Sequence, residues 1–123
     1  MKSLILDRTE DTPQISFASD SGVFEIAGRS LPEDAYSFYR PVNEWLEKYA
    51  STPQGGDVSV KIHLDYFNSS SGRYLLEMFA IMQNSKTVIF SIEWFADSDD
   101  ELMIEKGEEL KSLVQLPFEV VHP

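Results

Sequence analysis

The sequence predicts an α/β fold: a two-layer domain in which a mixed β-sheet carries helices mainly on one face. Two observations predict it. Segments with strand and helix patterns alternate along the chain, an order typical of parallel strands joined by right-handed crossovers. Most of the strand candidates alternate apolar and polar residues, whereas parallel strands covered on both faces are apolar throughout. One face of the sheet is therefore expected to be polar.

Short strands are predicted in the first quarter of the chain. Leu4–Leu6 is a weak candidate. Two mostly apolar segments, residues 15–17 and 23–26, flank Asp20-Ser21-Gly22, which is a turn signal. These two segments are expected to form a β-hairpin.

The strongest helix signal follows Pro32. Its apolar residues recur at intervals of mostly three and four, as on one face of a helix: Ala35, Phe38, Tyr39, Val42, Trp45, Leu46 and Tyr49. Ser30 or Leu31 is expected at the N-cap. Pro41 removes a backbone donor inside the helix and is expected to kink it.

The second half of the chain continues the alternation. Residues 58–64 and 87–94 have strand patterns, and residues 70–83 between them have a helical one. A third helix is expected from the acidic residues 97–100 through Leu113, and Phe118–Val121 is expected to form the last strand.

Length and composition limit the function. The 123 residues fit one domain, residues 1–123, and the net charge of −11 repels phosphate backbones and anionic lipids. We therefore expect protein partners, with no nucleic acid and no membrane. Cysteine is absent, which excludes disulfides and thiolate sites. The chain has neither an apolar span of 18 residues nor an N-terminal signal core, so we expect it to be cytoplasmic.

Signatures of enzymes are mostly missing. The chain has no G-x-G-x-x-G and no G-x-x-x-x-G-K-[ST] pattern, and its two histidines, His63 and His122, are expected to be surface residues. No cofactor, metal or catalytic residue is predicted. The carboxylates Asp65, Glu93 and Asp97 near strand ends leave a small acid–base enzyme as an alternative.

The acidic segment before the third helix allows two interpretations. Asp97, Asp99, Asp100 and Glu101, with Glu108, resemble half of a calcium loop, but Leu102 stands where such a loop needs glycine. An acidic N-cap is the preferred interpretation, because carboxylates are favourable at the positive end of a helix dipole.

The segment Asn68-Ser69-Ser70-Ser71 joins a predicted strand to the second helix. From the residues alone, it is either a capping turn or a phosphorylation site. A phosphate here would meet unpaired helix N–H groups and the positive end of the dipole. Arg73 lies one turn into the helix and is expected to reach it.

Several short blocks, in their order and spacing, make the chain resemble the SiaC family of bacterial regulatory phosphoproteins, which are similar to anti-sigma-factor antagonists of the STAS type. The blocks are residues 12–17, 28–35, 38–42, 45–46, 64–71, 93–95 and 105–107. In the central block the family pattern is Tyr-Phe/Leu-Asn-Thr-Ser-Ser, usually with Lys two residues later. Ser69 stands in place of the phosphoacceptor threonine, and Arg73 in place of the lysine.

The resemblance implies a non-catalytic switch protein. A partner kinase would phosphorylate Ser69, with Ser70 and Ser71 as capping residues or minor sites, and a PP2C-type phosphatase would reverse this. Unphosphorylated, the protein would bind and activate a signalling partner such as a diguanylate cyclase, in control of cyclic di-GMP and biofilm formation. Partner contacts are expected from Asn68, Ser69, Ser70, Ser71 and Arg73. A structural adaptor without phosphorylation stays open as the alternative.

The block that contains Pro41 also leaves two interpretations open. Either the kink shapes a helix surface for a partner, or a bent helix tolerates the proline.

Overall fold

A mixed sheet of six strands forms one layer of the molecule. The computed structural model describes residues 1–123. The strands are β1 (Leu4–Leu6), β2 (Gln14–Phe17), β3 (Val23–Ser30), β4 (Gly56–Phe67), β5 (Val88–Phe95) and β6 (Phe118–Val121). They lie side by side in chain order. The pairs β1–β2 and β2–β3 are antiparallel, and the pairs from β3 to β6 are parallel. The mixed sheet is thus confirmed, with the hairpin at β2 and β3.

Three helices form the second layer: α1 (Ala35–Tyr49), α2 (Ser69–Gln83) and α3 (Glu101–Ser112). Each connects two neighbouring parallel strands, as expected of crossover connections. Buried side chains of all three helices join those of the strands in one core cluster of 27 residues. No helix is long and apolar enough to cross a membrane.

The opposite face of the sheet is polar. Along β4 the apolar residues are buried, while Lys61 and His63 between them are exposed. Glu25 on β3 is exposed on the same face. The prediction that helices cover mainly one face is therefore confirmed, and the alternating pattern of the strands is its cause.

The start of α1 differs from the prediction. Ser30 is the last residue of β3, and the N-cap is Asp34. The Asp34 carboxylate accepts hydrogen bonds from the Ser37 backbone N–H (3.2 Å) and the Ser37 hydroxyl (2.7 Å). These bonds lower the pKa of Asp34. An N-cap at Ser30 or Leu31 is thus wrong, because β3 pairs with β4 up to Ser30.

The helix α1 continues through Pro41 without a break. The proline ring lacks the N–H that would bond to the carbonyl of Ser37. Pro41 is exposed, so water can reach this part of the helix. The expected kink stays a prediction.

The acidic segment before α3 acts as a cap. Asp100 is the N-cap, and its carboxylate accepts a hydrogen bond from the backbone N–H of Met103 (3.2 Å). The preferred interpretation of this segment is confirmed. Leu113, the expected end of the helix, is the C-cap residue.

Candidate functional site

The turn between β4 and α2 is built around Asn68. The Asn68 carboxamide oxygen accepts a hydrogen bond from the backbone N–H of Ser71 (2.9 Å), which makes Asn68 the N-cap of α2. The backbone N–H of Asn68 donates to the carbonyl of Ser30 on β3 (3.1 Å). A capping role for Ser70 or Ser71 is therefore wrong: Asn68 is the N-cap, and α2 begins at Ser69. The other expectation, that these two serines are minor phosphorylation sites, stays a prediction. The turn is held both by its own helix and by the neighbouring strand.

The three serines of the turn have different environments. Ser69 and Ser70 are exposed, and their hydroxyls make no hydrogen bond within the protein. Ser71 is fully buried. Its hydroxyl donates to the carbonyl of Ser30 (3.0 Å) and accepts from the Ser30 hydroxyl (2.8 Å). Arg73 lies one helical turn after Ser69 on α2 and is exposed. Ser71 therefore supports the turn from below, while Ser69, Ser70 and Arg73 face solvent.

A buried polar network lies beneath the turn and links three elements. The Ser30 hydroxyl is 2.5 Å from the phenolic oxygen of Tyr39 on α1, and both residues are fully buried. Burial raises the pKa of Tyr39, and its hydrogen bonds to Ser30 and Ser71 oppose that shift. Ser30 and Tyr39 occur in the family-like blocks, but sequence reasoning assigned neither a role at the site. The register of β3 beside β4 brings Ser30 under Ser71, and α1 brings Tyr39 to Ser30.

A cleft of about 290 Å³ lies between α2 and α3, beside Ser69. Ser69 lines it together with two cationic residues, Arg73 and Lys106, and one acidic residue, Glu109. The Lys106 ammonium donates to the carbonyl of Phe67 (3.3 Å) and lies 4.8 and 4.5 Å from the ring centroids of Tyr66 and Phe67. Sequence reasoning missed Lys106, because it lies far along the chain on α3.

The carboxylates of the alternative enzyme hypothesis have separate environments. Asp65 is the extra residue of a β-bulge, since Leu64 pairs with Gly28 and Tyr66 pairs with Arg29. Glu93 accepts a hydrogen bond from the Ser59 hydroxyl (3.1 Å).

The remaining carboxylate, Asp97, lies 3.6 Å from the imidazole of His63, and both side chains are largely exposed. No group of three histidine, cysteine or acidic side chains is arranged to hold a metal ion. None of the three carboxylates is hydrogen-bonded to another of the three.

Comparison with known proteins connects this geometry to a family. The model of the SiaC family regulatory phosphoprotein matches residues 6–123. An uncharacterized protein of Pseudomonas aeruginosa (strain UCBPP-PA14) is 26% identical over 124 residues, which span 98% of this chain and 96% of the relative.

Solved structures of proteins from Pseudomonas aeruginosa share the fold of this chain. The crystal structure of apo-SiaC from Pseudomonas aeruginosa has a TM-score of 0.88 and 24% identity, with 98% of each chain covered. A chain in the crystal structure of diguanylate cyclase SiaD in complex with its activator SiaC has a TM-score of 0.83 and 26% identity, covering 95% of this chain and 97% of that one. Since the family model spans nearly the whole sequence, the chain belongs to the SiaC family of regulatory phosphoproteins.

Proposed function

We propose that residues 1–123 act as a single non-catalytic switch domain whose state is set by phosphorylation of Ser69. A partner kinase adds the phosphate, and a PP2C-type phosphatase removes it. Without phosphate, the domain binds and activates a diguanylate cyclase. The observation that carries this proposal is the exposed Ser69 hydroxyl, which has no hydrogen-bond partner and stands at the first position of α2.

The accessibility of the hydroxyl group favours Ser69 over Ser71 as the phosphoacceptor. A kinase needs a hydroxyl that can enter its active site. The Ser71 hydroxyl is buried and bonded to Ser30, so its modification would require the turn to unfold. Ser70 is exposed and remains the competing acceptor. The resemblance to the family pattern, in which threonine stands at this position, favours Ser69.

The surroundings of Ser69 suit an anionic group. The N-terminus of α2 offers free backbone N–H groups and the positive end of the helix dipole. In the adjoining cleft two cationic residues, Arg73 and Lys106, stand against one carboxylate, Glu109. A phosphate on Ser69 is therefore compatible with the fold, and phosphorylation is expected to change the surface without unfolding the domain.

The partner proposal rests on the solved complex of a related activator with a diguanylate cyclase. We extend it to this chain and place Asn68, Ser69, Ser70 and Arg73 in the partner surface. Ser71, which was also expected to contact the partner, is fully buried and is therefore left out. Phosphate adds nearly two negative charges and bulk at the centre of that surface. A partner seated there would lose contact when Ser69 is modified.

The acceptor assignment is tested by phosphopeptide mapping of protein purified from its native host, as wild type, Ser69→Ala and Ser70→Ala. We expect one phosphoryl group on wild type and on Ser70→Ala, removed by phosphatase treatment, and none on Ser69→Ala. Modification confined to Ser70, or retained in Ser69→Ala, would reject Ser69. Absence of any phosphate would favour the adaptor alternative.

A further inference from the structure

Lys106 reaches from α3 to the turn that carries Ser69. Its ammonium group donates a hydrogen bond to the carbonyl of Phe67 (3.3 Å), and only Asn68 separates Phe67 from Ser69 in the chain. The same nitrogen lies 4.8 Å from the ring centroid of Tyr66 and 4.5 Å from that of Phe67. One hydrogen bond and two aromatic rings therefore hold this cation at the end of β4, directly before α2.

The ammonium group of Lys106 has unused bonding capacity. An ammonium has three N–H donors, and only one of those of Lys106 is used, by the Phe67 carbonyl. Lys106 forms no ion pair with a carboxylate. Glu109, one turn further along α3, lines the same cleft but does not pair with it. Two donors and the positive charge of Lys106 are therefore available to an anion in this cleft.

The two cations beside Ser69 differ in how firmly they are placed. Arg73 is exposed, and its guanidinium group forms no ion pair. Lys106 is half-buried and is already held beside the turn by the Phe67 carbonyl. Pairing a placed side chain costs less conformational entropy, and salt screens a partly buried pair less than an exposed one. Lys106 is therefore the better partner for an anionic group on Ser69.

We infer that Lys106 is the intramolecular partner of a phosphate on Ser69. This inference rests on the proposed phosphorylation of Ser69. The ammonium donates to the phosphate oxygens, and its flexible four-carbon stem lets the nitrogen turn toward them. The Glu109 carboxylate in the same cleft repels the phosphate, and the charge of Lys106 offsets that repulsion. Phosphorylation therefore adds an ion pair between the first turn of α2 and α3, as well as a charge.

The test is a ³¹P NMR pH titration of the full chain with phosphoserine inserted at position 69 during translation. This route needs no kinase, so the result does not depend on whether a kinase modifies Ser69 in the host, which phosphopeptide mapping decides. A neighbouring cation favours the phosphate dianion and lowers its second pKa, which is ordinarily about 6. We expect Lys106→Met to raise this pKa by at least about 0.5, and Lys106→Arg to keep it low. Equal pKa values with and without the Lys106 charge would overturn the inference.

Two further variants separate a specific pair from the general field of the protein. Lys111→Met removes an exposed cation from the last turn of α3 and is the charge-matched control, so it should leave the phosphate pKa unchanged. A rise in Lys111→Met equal to that in Lys106→Met would contradict a specific pair. A rise in Arg73→Met with none in Lys106→Met would assign the phosphate to Arg73 and reject the inference.

Lysine acetylation, followed by mass spectrometry, gives a second readout that needs no variant to fold. An ammonium paired with a phosphate holds its proton and reacts slowly. In the otherwise unchanged chain we expect Lys106 to be acetylated several-fold more slowly with phosphate on Ser69 than without it. Lys111 is the internal control and should react equally in both forms. Equal rates at Lys106 in the two forms would reject the pair.

Discussion

Gly107 shows how a single residue sets the distance between α3 and the sheet. A Cβ atom at this buried position would lie 2.4 Å from Cδ1 and 2.6 Å from Nε1 of Trp94. The indole is not free to move, because its N–H donates to the carbonyl of Met103 (3.0 Å) and the ring is fully buried. Only glycine therefore allows α3 to pack this closely.

We predict that Gly107→Ala destabilises the protein. Alanine is the better helix former by about 1 kcal/mol, but overpacking a filled core costs about 1–3 kcal/mol. A net loss in the free energy of unfolding is expected in chemical denaturation. The neighbouring exposed Glu108→Ala is the control and should change stability by no more than about 0.5 kcal/mol. A Gly107→Ala variant as stable as wild type would contradict the packing argument.

Tyr39 gives a second prediction, on alkaline stability. Burial raises the folded-state pKa of Tyr39 above its ordinary value of 10.0. The folded protein then holds the phenolic proton more tightly than the unfolded chain does. Its stabilising contribution is complete below pH 10.0 and is lost as the pH rises toward the folded pKa.

Urea denaturation of wild type and Tyr39→Phe across this range is the measurement. Wild type should lose stability above pH 10.0, and Tyr39→Phe should lose less. Part of the decline should remain, because burial also raises the pKa of Tyr49. At neutral pH, Tyr39→Phe should be about 1 kcal/mol less stable, since the Ser30 hydroxyl loses a partner. Identical pH profiles of the two proteins would exclude Tyr39 as the source.

Residues of the site differ in how far sequence alone identifies them. Ser69 and Arg73 are neighbours in the chain, so a local motif is enough to select them. Ser30, Tyr39 and Lys106 reach the same place through β3, α1 and α3, and no local pattern links them to Ser69. The strand register and the crossovers bring them together.

At the scale of elements, α2 depends on one capping residue. The Asn68 side chain satisfies the backbone N–H of Ser71 at the start of the helix, and no serine hydroxyl takes that role. We predict that Asn68→Ala lowers the free energy of unfolding by about 1 kcal/mol. Thermal or chemical denaturation measures this, with Ser70→Ala as the exposed control expected within about 0.5 kcal/mol of wild type. A larger loss for Ser70→Ala than for Asn68→Ala would contradict the assignment of the cap.

Sequence patterns identify the elements better than their ends. The apolar alternation of β3 stops at Ile26, which led to a strand four residues too short. Among the remaining residues, 27–30, Ala27 and Gly28 belong to types that are depleted in strands, and none of the four is β-branched or aromatic. Pairing with β4 extends the strand through them, across a bulge next to Gly28, whose φ of +117° suits glycine. Tertiary pairing therefore places the end of β3 directly beside Asn68.

At the scale of the whole molecule, the layer arrangement follows from the sequence and the switching behaviour does not. Alternation within the strands predicts one polar sheet face, and that face is exposed. Partner binding depends on surface residues, and their roles are set by contacts with another protein. No pattern within this chain alone therefore predicts the partner. The chain belongs to a family of regulatory phosphoproteins, and one related structure is that of an activator bound to a diguanylate cyclase.

If phosphate on Ser69 switches partner binding, the two phosphorylation states must differ in their affinity for the partner. Isothermal titration calorimetry measures this for the unphosphorylated and the Ser69-phosphorylated protein against the diguanylate cyclase of the same host. Enzymatically phosphorylated protein is required, because Ser69→Asp has fewer oxygens and less charge. We predict that the unphosphorylated protein binds the cyclase. After phosphorylation we expect an affinity at least about tenfold lower, which is a loss of about 1.4 kcal/mol in binding free energy. Equal affinity of the two forms would contradict the switch and would favour an adaptor that does not depend on phosphorylation.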